Sequence, residues 1–479
     1  MAKFKPYQKD QLHLLPACLE DYVPEGHLAR FVYEVVEGLD TSTVESKYSE
    51  LGQNTYHPKI LLKLLFYGYA TGVRSGRKIA IRCETDTAYM YLSETYRPDF
   101  RTINEFRKNH LASIEGYFLE IVKMCKALGM VHVGELTIDG SKMKANAAPR
   151  RSKDREGYEK WLKGVEEQIR EMLKEGGRVD SEEDVIYGDQ RGDELPQDIR
   201  GKIALRKKIE EVLNEWKGES KDKLNLTDPD SRFMKERKGV IVPAYNGQVA
   251  AEGQVIVGAD VVMEANDREQ LVSMIEQVEG TLGEGVKEVL ADSGYASYDN
   301  YEYLSQNGIQ GYIPDQYFEK VKQGDYGTPD QKYHKENFRY DSANDIYICP
   351  EGKELTFYKE RDSEEGVVVR KQWIYRGSAC VGCPVCVECT KAKYRTIARD
   401  KREPLQQEMR ERLLSEEGRR KYKKRLLIEC IYGHFKYNLG YKTFLLRTFW
   451  KVRGEFKLMC IGYNLRKMFR FKMAKLTTA

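Results

Sequence analysis

Apolar residues recur at helical spacing through the first 125 or so positions. Leu28, Phe31, Val32, Val35, Val36 and Leu39 share one face at a period of 3.6 residues. Pro58 opens an apolar run to Tyr69, and Thr102 with Glu105 reads as a capping box ahead of Phe106, in a helix continuing through Phe118 and Val122. Arg74, Arg77, Lys78 and Arg82 punctuate short helices between these runs. Residues 1–130 are therefore expected to form an all-α unit, either a small DNA-binding module or one with a solvated basic face.

At Gly134 the pattern changes. Leu136 and Ile138 read as a strand leading to Asp139, and the small residues of GSKMKANA follow. Trp161, Val165, Ile169 and Met172 then return to helical spacing, answered by Ile199, Ile203, Ile209, Leu213 and Trp216 beyond a Gly- and Asp-rich loop. This predicts a helical-hairpin insertion over 150–222, suited to packing, dimerisation or DNA contact. From Val240 to Met263 two β-rich runs flank YNGQ, whose Asn246 and Gly247 suit a tight hairpin turn. A helix over 267–278, a strand EVLAD ending at Asp292, a helix after Tyr298 and a short strand from Gly311 to Pro314 complete residues 131–315. Residues 316–398 read as a polar, β-rich insertion. Within 399–479 a long helix is expected from Glu403, interrupted at Gly418, through Tyr422, Arg425 and Glu429 to Lys436, before a basic, aromatic-rich tail.

At 479 residues the chain exceeds one ordinary hydrophobic core, and 41% hydrophobic with 32% charged residues fits a globular protein with a strongly charged surface. The net charge of +4 says little until its distribution is considered: from Arg419 onward there are 17 Lys and Arg against two acids, Glu429 and Glu455. Such an excess suggests a phosphate-binding surface. No leader pattern and no apolar run of about 18 residues is evident, so a cytoplasmic protein without membrane contact is expected.

Five of the ten cysteines, Cys349, Cys380, Cys383, Cys386 and Cys389, gather in the β-rich insertion. Cys349 with Pro350 and Gly352 resembles one zinc knuckle and Cys380 with Cys383 another, so Cys349, Cys380, Cys383 and Cys389 are the expected Zn²⁺ ligands, with Cys386 spare. An iron–sulfur run and a metal-free cluster are the alternatives. His434 reads as structural, and Cys83, Cys125, Cys430 and Cys460 as small apolar residues.

Asp139, Asp292 and Glu429 are the candidate catalytic residues. Hard divalent cations prefer oxygen ligands, and carboxylates gathered in one place repel one another unless a cation neutralises them. Tyr422, Arg425, Glu429 and Lys436 have the spacing Y, two residues, R, three residues, E, six residues, K. Here the chain resembles the YREK-signature branch of bacterial insertion-sequence DDE transposases. The similarity extends to TIDGSKMKANA, LADSGYAS, TDPDSRFMK, YNGQ and PDFRTINEFR.

The resemblance implies an α/β catalytic core of ribonuclease H-like type, a mixed central sheet flanked by helices, with one carboxylate on the first strand, one at the end of the fourth and one on a later helix. It implies two Mg²⁺ ions, replaceable by Mn²⁺, on Asp139, Asp292 and Glu429, with Tyr422, Arg425 and Lys436 gripping DNA. The implied partners are terminal inverted repeats and target DNA, bound by a homodimer at the bacterial nucleoid. Two departures stand out. Thr448, not glycine, follows Arg447, and the second Asp lacks a nearby base-stacking tryptophan, leaving Tyr295 or Tyr298 to stack a base. Whether cleavage passes through a DNA hairpin is left open. A domesticated DNA-binding protein and a ribonuclease H-like nuclease are the rival readings.

Overall fold

A computed structural model of the chain describes residues 18–48, 55–187, 197–216, 222–236, 239–319, 332–365 and 368–478. The loop expected inside the helical hairpin, at 188–196, and part of the β-rich insertion, at 320–331, lie outside the described residues.

The N-terminal region is helical. Helix α1 (Leu28–Glu37) buries Ala29, Phe31, Val32, Val35 and Val36, and α2 (Pro58–Thr71), opened by a proline, is buried along almost its whole length. Helix α3 (Phe100–Asn109) is capped by Asp99, whose carboxylate accepts from the Arg101 N–H at 2.6 Å. The expected start at Thr102 is thus corrected: Thr102 and Glu105 sit inside the helix, because Asp99 already satisfies its first free N–H group. Helix α4 (Leu111–Ala127) follows.

Strand β1 (Glu135–Lys144) opens a mixed sheet and continues well past Asp139. After it, α5 (Arg155–Tyr187) and α6 (Gln197–Asn214) form the anticipated helical pair around a separate cluster of Tyr158, Val165, Ile209, Val212, Leu224 and Leu226. The sheet resumes with β2 (Arg232–Lys235), β3 (Ile241–Glu252) and β4 (Val255–Val262), then α7 (Gln270–Leu282), β5 (Glu288–Leu290), α8 (Tyr298–Gln306) and β6 (Gln310–Tyr312). Strands run in the order β2, β3, β1, β5, β6, with β4 also paired to β3. β3 is antiparallel to β1, β4 antiparallel to β3, and β5 and β6 parallel to β1.

The turn expected at Asn246–Gly247 falls instead at Gly253, with φ +57°, and YNGQ lies within β3. Asn246 and Gln248 are 1% and 0% exposed, and both donate to Asp267. A Cβ at Gly247 would meet the Phe456 ring at 2.9 Å, so that glycine serves close packing rather than a turn.

Beyond the sheet, β7 (Arg339–Asp341), β8 (Ile346–Ile348), β9 (Glu354–Glu365), β10 (Val368–Arg376) and β11 (Thr396–Asp400) form an antiparallel meander. Its small core is Phe338, Tyr347, Leu355, Tyr375 and Ile397.

The helix expected from Glu403 with an interruption at Gly418 is broken twice, at Ser415 and again before Leu426. It comprises α9 (Glu403–Leu414), α10 (Glu416–Lys423) and α11 (Leu426–Gly433), then a π-helical turn over His434–Asn438. The first break is at Ser415, whose Oγ accepts from the Gly418 N–H at 3.0 Å. A Cβ at Gly418 would run into the Arg412 carbonyl, so the glycine permits the two helices to abut.

Helix α12 (Phe449–Thr478) corrects the picture of a basic surface tail. It packs against α2, α4 and β4 and buries Val452, Phe456, Leu458, Met459, Ile461 and Leu465. Its polar residues are partly internal: Glu455 is 0% exposed and pairs with Arg74 at 3.0 Å, and Arg453 pairs with Asp260 at 2.6 Å. One cluster of buried residues therefore joins the N-terminal helices, the mixed sheet and α12. Among the described residues no helix is long and apolar enough to cross a membrane.

Candidate active site

Strand register brings the first two carboxylates level. Thr137 on β1 pairs with Leu290 at the end of the parallel strand β5, so Asp139 lies two residues further along β1 and Asp292 two residues further, in the turn after β5. The Asp292 carboxylate turns back to accept from the Gly294 N–H at 2.8 Å. Helix α11 is pinned over this edge by Tyr432, whose buried hydroxyl lies 2.9 Å from the Asp139 carbonyl and 2.7 Å from that of Gly247. Glu429, one turn earlier, is thereby brought toward the other two acids.

Arg425 sits among the three carboxylates. It donates to Glu429 at 2.8 Å and lies over the Tyr422 ring at 5.7 Å. Burial first, then the charge of Asp292, pushes the Asp139 carboxyl up to about 7, while Arg425 works in the opposite direction. Asp292 is raised by burial too, with Arg425 again lowering it and Asp267 and Glu429 adding repulsion. Tyr422 and Arg425 thus face the carboxylates although the helix is interrupted between them. Lys436 is directed at β1, where its ammonium donates to Ser141 Oγ at 2.6 Å and to the Lys142 carbonyl at 3.0 Å.

A fourth acid, Asp267, was not anticipated from the sequence. It lies just before α7, and its Oδ1 accepts from Asn246 Nδ2 and Gln248 Nε2, both at 2.6 Å. Tyr295, fully buried, donates to Gln248 and so fixes which end of that amide faces the acid. A Cβ at Gly140 would run into both Asp267 and Gln248, so the residue after Asp139 must be small for the fourth acid to approach. The available signal was YNGQ itself: two amides spaced by two on one strand face present paired donors, which a turn reading discards. The burial of Tyr295 also removes it as a base platform, whereas Tyr298 is half-buried and bonded to Gln406 at 3.3 Å.

Carboxylate oxygens suit a hard divalent cation, which would offset the burial and mutual repulsion that raise Asp139 and Asp292. Among the described residues, no three His, Cys, Asp or Glu side chains are drawn tightly enough together to hold one ion as they stand. Arg425 occupies Glu429 instead.

The five cysteines of the meander line one pocket with Tyr333, Phe338 and Leu355. All five are free thiols. Cys349 sits in a tight turn in which its sulfur accepts from the Lys353 N–H at 3.3 Å and Gly352 takes φ +73°. Burial raises the Cys389 thiol, with Cys380, Cys349 and Cys386 as near neighbours and Arg395 opposing them.

Thr448 retains the backbone that a glycine would adopt. Its φ is +73°, and its N–H donates to Asp228 Oδ1 at 3.0 Å, while the Phe449 N–H donates to Asp230 at 2.8 Å. The TDPDSR segment thus clamps the start of α12. His434 is structural as expected, at 3.0 Å from the Asn438 amide and edge-on to Tyr463.

Residues 348–469 match the family Transposase DDE domain, and residues 17–109 match Transposase domain (DUF772). The two matches support a DDE transposase. The first match contains the five clustered cysteines, Tyr422, Arg425, Glu429 and Lys436; Asp139, Asp267 and Asp292 lie outside both. Such a family suggests a DNA substrate and generally uses a divalent metal. No curated protein and no solved structure matches the chain.

Proposed function

We propose that the protein binds the terminal inverted repeats of an insertion sequence and cleaves and transfers DNA strands by a metal-dependent reaction at Asp139, Asp292 and Glu429. The observation carrying this is the convergence of three acids, more than 130 residues apart in sequence, around one guanidinium at the edge of the mixed sheet. A protein that only bound phosphates would be penalised by such a cluster. The sheet, in which four strands pair antiparallel and two more run parallel to β1, supports a ribonuclease H-like core. The YREK spacing supports the corresponding branch.

Two divalent cations, when bound, would neutralise the attacking and leaving oxygens of an in-line phosphoryl transfer. Asp139 and Asp292 are held by β1 and the turn after β5, so their approach is fixed by the sheet. Glu429 can join them by leaving Arg425, whose freed guanidinium then offers a two-pronged donor to a phosphate. Tyr422 supports that guanidinium, and Lys436 places a positive charge beside Ser141. Residues 1–130 supply further DNA contacts, and a homodimer holds the two ends. Cys349, Cys380, Cys383 and Cys389, which line one pocket, are the residues that would hold one structural Zn²⁺.

Asp292→Asn and Glu429→Gln test the reading directly. Both should shift inverted-repeat DNA as well as the parent does, yet cut none of it with Mg²⁺ or Mn²⁺. Strand cleavage retained by either variant rejects the assignment.

A further inference from the structure

Where β1 ends, a cleft of about 630 Å³ opens between the start of β3, the segment 145–151 and the loop before α12. Lys144, Arg150, Arg151 and Arg447 line it, over a floor that includes Val242, Pro243 and Thr443, and no acid lines it. It continues past Arg150 and Arg151 into a second concavity carrying Lys153, Trp161 and Lys160, the last paired with Glu156 at 2.6 Å, while a neighbouring hollow that shares Arg151 and Arg447 also carries Glu211 and Glu215.

The cations are held in place by the fold. Arg150 and Arg151 occupy a single 3-10 turn, Pro149–Arg151, whose backbone is fastened on both sides. The buried Asn225 donates to the Ala148 carbonyl and to Ser152 Oγ, both at 2.8 Å. The Leu226 N–H and the hydroxyl of buried Tyr158 donate to the Arg151 carbonyl at 3.0 and 3.2 Å. On the opposite wall, Arg447 Nε donates to the Asn146 carbonyl at 2.9 Å. Lys144, at the rim, reaches Glu236 at 3.4 Å. Among the described residues Arg150, Arg151 and Arg447 form no ion pair with a carboxylate, whereas Arg402, Arg410 and Arg425 each do. The three guanidinium groups are exposed on the walls of one cleft and present positive charge that an anionic ligand would neutralise.

We infer that this cleft binds the sugar–phosphate backbone of duplex DNA, at a place separate from the carboxylates. An extended line of cations on a rigid rim suits a polyanion of regular charge spacing better than a compact anion. Lys144 is five residues along β1 from Asp139, roughly 17 Å at the rise of a strand. DNA held here is therefore gripped away from the bond being cut, and its loss should weaken binding without touching the chemistry. This assignment rests on the transposase reading only in supplying DNA as the polyanion.

The experiment measures binding of a fluorescein-labelled duplex to the full-length protein across a salt series. Arg150→Gln combined with Arg151→Gln should lower the slope of log K against log salt by about 1.8, at about 0.9 for each phosphate no longer neutralised. Metal-dependent nicking should fall through KM, in step with the weaker binding. An unaltered slope overturns the inference, as does an equal fall from Lys391→Gln with Lys393→Gln, which would mean that charge count alone sets the affinity. A fall seen with single strands but not with duplex overturns the choice of duplex. A parent protein that binds no DNA would instead remove the transposase reading.

Discussion

The carboxylate site and the cysteine pocket solve the same problem, holding like groups together, with opposite resources. The acids are placed by a large frame: β1, β5, α11 and α12 share one continuous buried cluster, and Tyr432 spans two strands to fix the helix. The meander gathers five buried core residues among those described, three of them aromatic, in a chain segment with long polar strands. A frame of the first kind can afford buried charge. One of the second kind depends on ties between its few contacts, such as Tyr347 donating to Glu403 at 2.8 Å.

The sharpest way to break this contrast is inside the large frame. Glu455→Leu would strand Arg74 and the Leu445 and Leu446 N–H groups, all of which now point at that carboxylate. A loss of about 3–5 kcal/mol is expected, as for removal of one partner of a buried pair. Denaturant melts followed by near-ultraviolet circular dichroism would read it; a cost below about 1 kcal/mol would deny that the frame is one cooperative unit.

The meander should respond differently. Cys380→Ser with Cys383→Ser, or extraction with a strong chelator, should open residues 339–400 to amide exchange while the amides of β1 and β3 keep their protection. Elemental analysis of protein prepared without chelator should find about one zinc per chain. Its absence, or uniform loss of protection across both sheets, would erase the distinction.

A smaller effect concerns pH. Asp139 titrates at about 7 in the fold, against an ordinary carboxylate value when unfolded, so between those values the native state binds the extra proton. Its contribution therefore destabilises the metal-free protein as pH rises from about 4 to about 7. Asp139→Asn should flatten that part of the stability profile, and Mg²⁺ should flatten it in the parent. A slope untouched by both would place its origin elsewhere.

The least effect should come from Thr448→Gly. Relief of the left-handed backbone should stabilise the protein by about 1 kcal/mol, offset in part by added freedom in the unfolded chain. A destabilised variant would mean that the threonine side chain contributes contacts beyond its backbone bond to Asp228.

The sequence by itself determined the periodic elements: the buried face of α1, the extent of α2, the paired helices α5 and α6, a strand through Asp139 and one ending just before Asp292. Those are local properties, fixed by the spacing of apolar side chains. Tertiary structure decided the rest. Asn246–Gly247 carries the strongest short signal for a turn, yet Asp267 accepts the Asn246 amide and Phe456 lies flat on Gly247, so the dipeptide continues a strand. The basic C-terminal segment looked like surface because charge is counted along the chain, whereas α12 threads between α2, α4 and β4 and buries Glu455 against Arg74. Asp267 was invisible for the same reason. Its partners stand about 20 residues away on a neighbouring strand, and only the packing that brings Gly140 beneath it makes the fourth acid part of the site.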